Sequence, residues 1–124
     1  MKEYQSLSHT KWDCKYHVVF IPKRRKKVIF GALRRHLGEI FRELALQREG
    51  KVVEGHLIID HVHMCLSIPP KYSVSNVVGY IKGKNAISIA RQFGARQRNF
   101  TGEVFWARGY FVSTVGLDEE MVRA

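Results

Sequence analysis

Cysteine is almost absent from this chain of 124 residues: Cys14 and Cys65 are the only two. They stand far apart, which excludes zinc knuckles and CxxC redox motifs and leaves free thiols in a reducing compartment as the default reading. Long apolar runs are missing too. Nothing approaches the roughly 20 residues needed to span a bilayer, and the opening MKEYQSLSHTKWDCKY has no apolar secretion segment. A soluble, cytoplasmic protein is expected, with no membrane partner. Acidic residues are scarce: 11 Asp and Glu stand against 21 Lys and Arg, for a net charge of +10. That imbalance points to a polyanionic partner, nucleic acid first. A merely soluble basic protein is the bland alternative. An anionic membrane surface is disfavoured, because no stretch pairs a basic face with an exposed aromatic one.

What the chain does have is 45% apolar residues, against disorder, in a length that suits one domain over residues 1–124. The stretch that organises it is Leu57–Pro70, LIIDHVHMCLSIPP. Read as a turn entering a strand, it puts His61, His63, Cys65 and Ser67 on one face and Val62, Met64, Leu66 and Ile68 on the other. The second set is a core face. The first holds two imidazoles about 7 Å apart along the strand, close enough for both to reach one divalent ion. A histidine pair of this kind is also found as an ordinary exposed pair, so the spacing alone leaves both readings open. Cys65 is either a third ligand or a packed thiol, and Asp60 a turn residue.

The remaining elements follow from pattern. Trp12–Ile21 alternates as a strand, with His17 on its polar face, and Pro22 ends it. Lys23, Arg24, Arg25, Lys26 and Lys27 form a solvated loop or a phosphate-contacting one. Gly31–Gly50 is helical, with Leu33, Leu37, Ile40, Phe41 and Leu44 on one stripe and Gly50 as the stop. Lys51–Leu57 is a strand joined through Ile58–Asp60 to His61–Ile68 as an antiparallel hairpin, and His56 on it has no local partner. Ser73 caps a second helix to about Phe93, whose stripe runs Val74, Val77, Val78, Ile81, then Ile87, Ile89, Ala90 and Phe93. Within it, Lys82-Gly83-Lys84-Asn85 is a basic patch: a solvated helix face, or a nucleic-acid contact through Lys82 and Lys84. Val104–Val115 reads as one long aromatic strand. A last helix starts at Asp118, with acids at its positive end, and is one turn long at Ala124, so the sequence reads as cut within it.

The order strand, helix, strand, strand, helix, strand predicts an α+β, ferredoxin-like (RRM-like) βαββαβ fold. Two helices would cover one face of a four-stranded antiparallel sheet, and the open face would present His61 and His63, with His17 a further candidate beside them. Arg108–Val112 partly imitates an RNA-recognition signature, but it falls on the fourth strand and not the third.

Three stretches, WDCKYHVVFIPKRRKKVIF, DHVHMCLSIPPKYSVSNVVGYIKGKNA and FWARGYFVSTVG, together resemble the TnpA-type transposases of insertion sequences that move as single-stranded DNA. These are HUH nucleases with one catalytic tyrosine, and REP-associated tyrosine transposases are among their relatives. The resemblance covers nearly the whole chain. It implies a homodimer, paired through the strand at 104–115, that binds hairpins in single-stranded DNA. It implies Mg²⁺ or Mn²⁺ on His61 and His63, and a 5′-phosphotyrosine intermediate for cleavage and rejoining. The nucleophilic tyrosine would fall just after Ala124 on the last helix, with a glutamine one turn later. None of Tyr4, Tyr16, Tyr72, Tyr80 and Tyr110 lies on that helix; Tyr110 is the fallback nucleophile, otherwise structural. The alternatives are a non-catalytic single-stranded nucleic-acid-binding module derived from such an enzyme, and a metal-dependent hydrolase using an activated water.

Overall fold

The computed structural model describes residues 5–7, 10–93 and 105–116. A small antiparallel hairpin, β1 (Gln5–Leu7) with β2 (Thr10–Trp12), precedes the main sheet. That sheet consists of β3 (Lys15–Phe20), β4 (Lys51–Ile58), β5 (His61–Ser67) and β6 (Phe111–Thr114), antiparallel throughout, in the order β4-β5-β3-β6. Two helices, α1 (Gly31–Gln47) and α2 (Val74–Phe93), complete the α+β architecture expected of the βαββαβ pattern. The start of a helix at Asp118 lies outside the described residues. Among those residues, no helix is long and apolar enough to cross a membrane.

The core lies between the helices and the even-numbered side chains of the two central strands. Val18, Phe20, Val62, Met64 and Leu66 are buried against Leu33, Leu37, Phe41, Val77, Ile81 and Ile89. On α1 the buried positions recur at helical spacing, so one stripe faces the sheet. The helix ends with Glu49 in the left-handed region (φ 58°) and the Gly50 N–H on Ala45 O. Gly50 is needed for a different reason than a left-handed cap: a Cβ there would stand 2.6 Å from the Ser67 carbonyl oxygen. On α2 the Ser73 hydroxyl accepts from the Asn76 N–H at 3.0 Å, the expected cap. Its stripe continues from Ile81 through Asn85 to Ile89, steps of one helical turn each, and the predicted Ile87 is exposed. The two helices are also joined by a 2.8 Å hydrogen bond between His36 and Ser88.

Three strand boundaries depart from the sequence reading. The first strand is two: Trp12 pairs with Gln5 in the hairpin, and β3 starts only at Lys15. Apolar alternation runs unbroken through the change of partner and so leaves no mark in the sequence. In β4 the register slips by one between Val52 and Glu54. This bulge lets Val52 and Leu57, five positions apart, both pack against the core.

The third departure corrects the long strand at 104–115. Among its described residues only Phe111–Thr114 is ladder. Phe105 and Trp106 are buried in the core, 5% and 1% exposed, and Trp106 bridges Pro22. Val19 pairs with Phe111, so an unbroken ladder would set Pro22 opposite Arg108; two extra residues are looped out between the pairs. Gly109, at φ +76°, takes the left-handed turn this requires. Lys82 holds the loop from α2, donating to the carbonyls of Ala107 (2.9 Å) and Gly109 (2.8 Å). An even-numbered insertion keeps side-chain parity, which is why Trp106 still points inward.

Candidate metal and nucleic-acid site

Residues paired across an antiparallel sheet share a face. The register therefore sets Phe111, Val19, His63 and His56 in one row across the open face, and Ser113, His17, Cys65 and Glu54 in the next. His61 stands one step further along β5, opposite Ile58. Three strands thus bring four of the chain's histidines to the same surface.

Each ring has a partner. The His61 Nδ1–H donates to Asp60 Oδ1 at 2.9 Å, and the other carboxylate oxygen accepts from Arg25 Nε at 3.1 Å. The hydrogen bond from His61, with the Arg25 charge beside it, holds the Asp60 carboxyl below its ordinary range. With Nδ1 committed to the carboxylate, the neutral ring has Nε2 as its acceptor, the tautomer a metal ligand needs. His63 Nε2 meets His17 Nδ1 at 3.3 Å, one ring donating and the other accepting, with ring centroids 5.3 Å apart. His56 lies on the other flank of His63, 6.0 Å between centroids, and its Nε2 is 3.0 Å from Glu54 Oε1. Among the described residues no three His, Cys, Asp or Glu side chains converge as a complete metal cluster. His61 and His63 are the two residues of this surface expected from the sequence to hold a metal, and the carboxylate of Asp60 orients the first of them.

The other sequence candidates divide. Of the basic run, Lys23–Arg25 forms a one-turn 3₁₀ segment with Arg24 and Arg25 at positive φ. Its cations are mostly exposed, and it carries Arg25 to the His61 end of the sheet. Lys82 is not a surface cation. It is half-buried against the Phe20 ring and committed to the 107–109 carbonyls, and burial pushes its ammonium pKa down. Lys84, two residues on and so on another face, is exposed beside Tyr80. Cys65 is buried and its thiol pKa is pushed up by that burial, the properties of a packed residue. Tyr110 packs against the core, on the parity opposite to the histidines. The convergence of His17 and His56 on His63 was not foreseen as a group. Polar-face alternation hinted at His17, but only cross-strand register could have found His56.

Comparison with known proteins identifies the family and the fold. A family model described as "Transposase IS200 like" matches residues 10–124. The chain is similar to the transposase for insertion sequence element IS200 of Salmonella typhimurium (strain LT2), 45% identical over 116 residues that cover 94% of this chain and 76% of the relative. It is also similar to the ISDra2 transposase TnpA of Deinococcus radiodurans, at 27% identity over 84% of this chain and 74% of that one. Among solved structures, a protein of Deinococcus radiodurans R1 assigned as a transposase superposes with a TM-score of 0.78 at 24% identity, covering 99% of this chain and 92% of that one. A REP-associated tyrosine transposase bound to a REP hairpin gives a TM-score of 0.62 at 13% identity, over 99% and 67%. These two likenesses show the fold; the family model and the 45% identity show the family. The chain belongs to the IS200-like transposases, enzymes that move DNA.

Proposed function

We propose that this transposase binds hairpins in single-stranded DNA and cuts and rejoins one strand through a 5′-phosphotyrosine intermediate, with His61 and His63 holding Mg²⁺ or Mn²⁺. The observation that carries the reading is the Arg25–Asp60–His61 chain: a histidine on an open sheet face whose Nδ1 is engaged by a carboxylate, which leaves Nε2 as the acceptor of the neutral ring. Neutral imidazole suits a divalent ion, and the pairing of His63 with His17 offers a second ring orientated by a neighbour. When bound, the ion supplies Lewis-acid stabilisation of charge developing on the scissile phosphate.

The chain's own residues do the rest. Asp60 holds His61, and the exposed cations of Lys23, Arg24, Arg25 and Lys27, with Lys26 among them, attract the phosphate backbone to that end of the sheet. The nucleophile in this reading is a tyrosine beyond Ala124, followed one turn on by a glutamine that completes the metal shell. A covalent link conserves the energy of the cleaved phosphodiester for rejoining. Tyr110, half-buried against the core, is read as structural and not as the nucleophile.

The homodimer belongs to the same proposal, with its interface narrowed. Phe105 and Trp106 are spent on this chain's own core. β6, an edge strand with Phe111 63% exposed, is the part left to pair with a second copy.

Metal binding tests the reading without the tyrosine. Mn²⁺ titrated into the protein is expected to bind, and to lose binding in His61→Ala and His63→Ala while Cys65→Ala retains it. Equal binding by all four would refute the site, and DNA binding without metal binding would favour the non-catalytic module.

A further inference from the structure

On β6, Val112 pairs with the buried Val18 and shares its side of the sheet, the core side. Phe111 and Ser113 therefore lie on the other side, with the histidines. The Phe111 ring is 63% exposed there. Its placement is built in: Gly109 turns the chain ahead of it, and Lys82 holds that turn through the Ala107 and Gly109 carbonyls, which sets the parity of the strand.

A single exposed apolar side chain needs no explanation by itself. What singles this one out is its row. Phe111, Val19, His63 and His56 follow one another across the sheet, so the ring stands two strands from His63, about 10 Å away. A nucleotide whose phosphate lies at His63 can span that distance with its base. Among the described residues that the ladders place on this face, Phe111 is the one phenylalanine, tyrosine or tryptophan. The two flanks of His63 also differ. The β4 flank carries the Glu54 carboxylate, 65% exposed, which disfavours phosphates, whereas Phe111 and Ser113 on the β6 flank are uncharged.

We propose that Phe111 is a stacking platform for one unpaired base of the DNA strand, beside the bond that is cut. The inference rests on the reading above that His61 and His63 hold the ion at the scissile phosphate. Every base has a π-face, and aromatic rings carried on a sheet hold single strands by stacking on it. A duplex keeps its bases stacked on one another, so the platform takes an unpaired nucleotide. Holding the base also holds the sugar and phosphate attached to it, which orients the reacting group over the histidines. The dimer does not compete for the ring: pairing along the β6 edge joins backbones and leaves the side chains on the two faces.

A double-mutant cycle between protein and DNA tests this. Binding of residues 1–124 is measured in Mg²⁺ to a labelled DNA hairpin with single-stranded flanks, one flank nucleotide at a time being made abasic. Phe111→Ala and Phe111→Leu should each weaken binding about 5- to 150-fold, the range for loss of one stacked base, and Phe111→Trp should retain it. Leucine keeps the apolar bulk and loses the π-face, which separates stacking from burial at a subunit contact. At one flank position the abasic site should cost the unaltered protein that same factor and cost Phe111→Leu nothing more. At the other positions the two losses should multiply. Losses that multiply at every position would overturn the platform, as would a leucine variant that binds like the unaltered protein. A loss that tracks a changed mass in sedimentation equilibrium would overturn it too, assigning the ring to the dimer contact. Failure of the unaltered protein to bind the hairpin would instead sink the functional reading on which the inference rests.

Discussion

Asp60 and His61, neighbours in sequence, are bonded side chain to side chain at 2.9 Å, while Arg25 occupies the second carboxylate oxygen at 3.1 Å. A turn residue thereby becomes the group that orients a histidine. Asp60→Asn keeps the shape and removes the charge. Outer-shell changes of this kind cost about 10–100-fold in metal affinity. We expect that loss in Mn²⁺ titration of Asp60→Asn at neutral pH.

The same pair sets an acid dependence. Asp60 has a carboxyl pKa below the ordinary 3.8, chiefly through the His61 hydrogen bond. A depressed carboxylate contributes stability that is present above 3.8 and lost as pH falls through the folded-state value. Melting temperatures measured down the acid range should therefore show the gap between the unaltered protein and Asp60→Asn closing below 3.8. A gap that stays constant would mean the bond contributes nothing to folding.

Lys82→Met keeps the length of the stem and deletes the ammonium that holds the Ala107 and Gly109 carbonyls. Hydrogen bonds from charged donors are worth about 1.5–3 kcal/mol. The carbonyls stand where water can partly replace the loss, so urea denaturation should show a destabilisation near the lower end. The basic patch reading makes the opposite prediction: weaker DNA binding with unchanged stability.

Trp106 donates its indole N–H to Asn85 Oδ1 at 3.1 Å in the centre of the core. Both residues are buried, and Asn85 Nδ2 has no hydrogen-bond partner among the described residues. Trp106→Phe leaves a buried acceptor unsatisfied, at about 1–3 kcal/mol, and adds the cost of a smaller side chain. Asn85→Leu in the Trp106→Phe background should recover part of the loss in chemical denaturation. No recovery would show that the amide is not the source of the cost.

The cysteines should differ in reactivity. Cys14 is half-buried, whereas Cys65 is buried with its thiol pKa raised. Since the thiolate is the reactive form, alkylation followed by mass spectrometry should label Cys14 first, and Cys65 only on unfolding.

Much of this was legible in the sequence because it is periodic. Period-two alternation put His61 and His63 on the face opposite Val62 and Met64, and helical spacing found the stripes of α1. What alternation cannot show is which strand lies opposite. His17 and His56 are 46 and 7 residues from His63 along the chain, and register alone makes them its neighbours. The run 104–115 misled for a related reason. Most of its residues are aromatic or β-branched and favour a strand, and the one signal of the looped-out pair is Gly109, a single glycine beside Arg108. Lys82 read as surface because lysine usually is. Its direction depends on carbonyls 25 and 27 residues further on.

The most direct test of the central claim is a covalent-adduct assay. The chain of residues 1–124, and the same chain extended C-terminally to include the expected tyrosine, would each meet a labelled single-stranded hairpin substrate with Mg²⁺ or Mn²⁺. A metal-dependent protein–DNA adduct is predicted for the extended chain alone, and it should vanish with His61→Ala. An adduct formed by residues 1–124 alone, or one that persists without His61, would contradict the account.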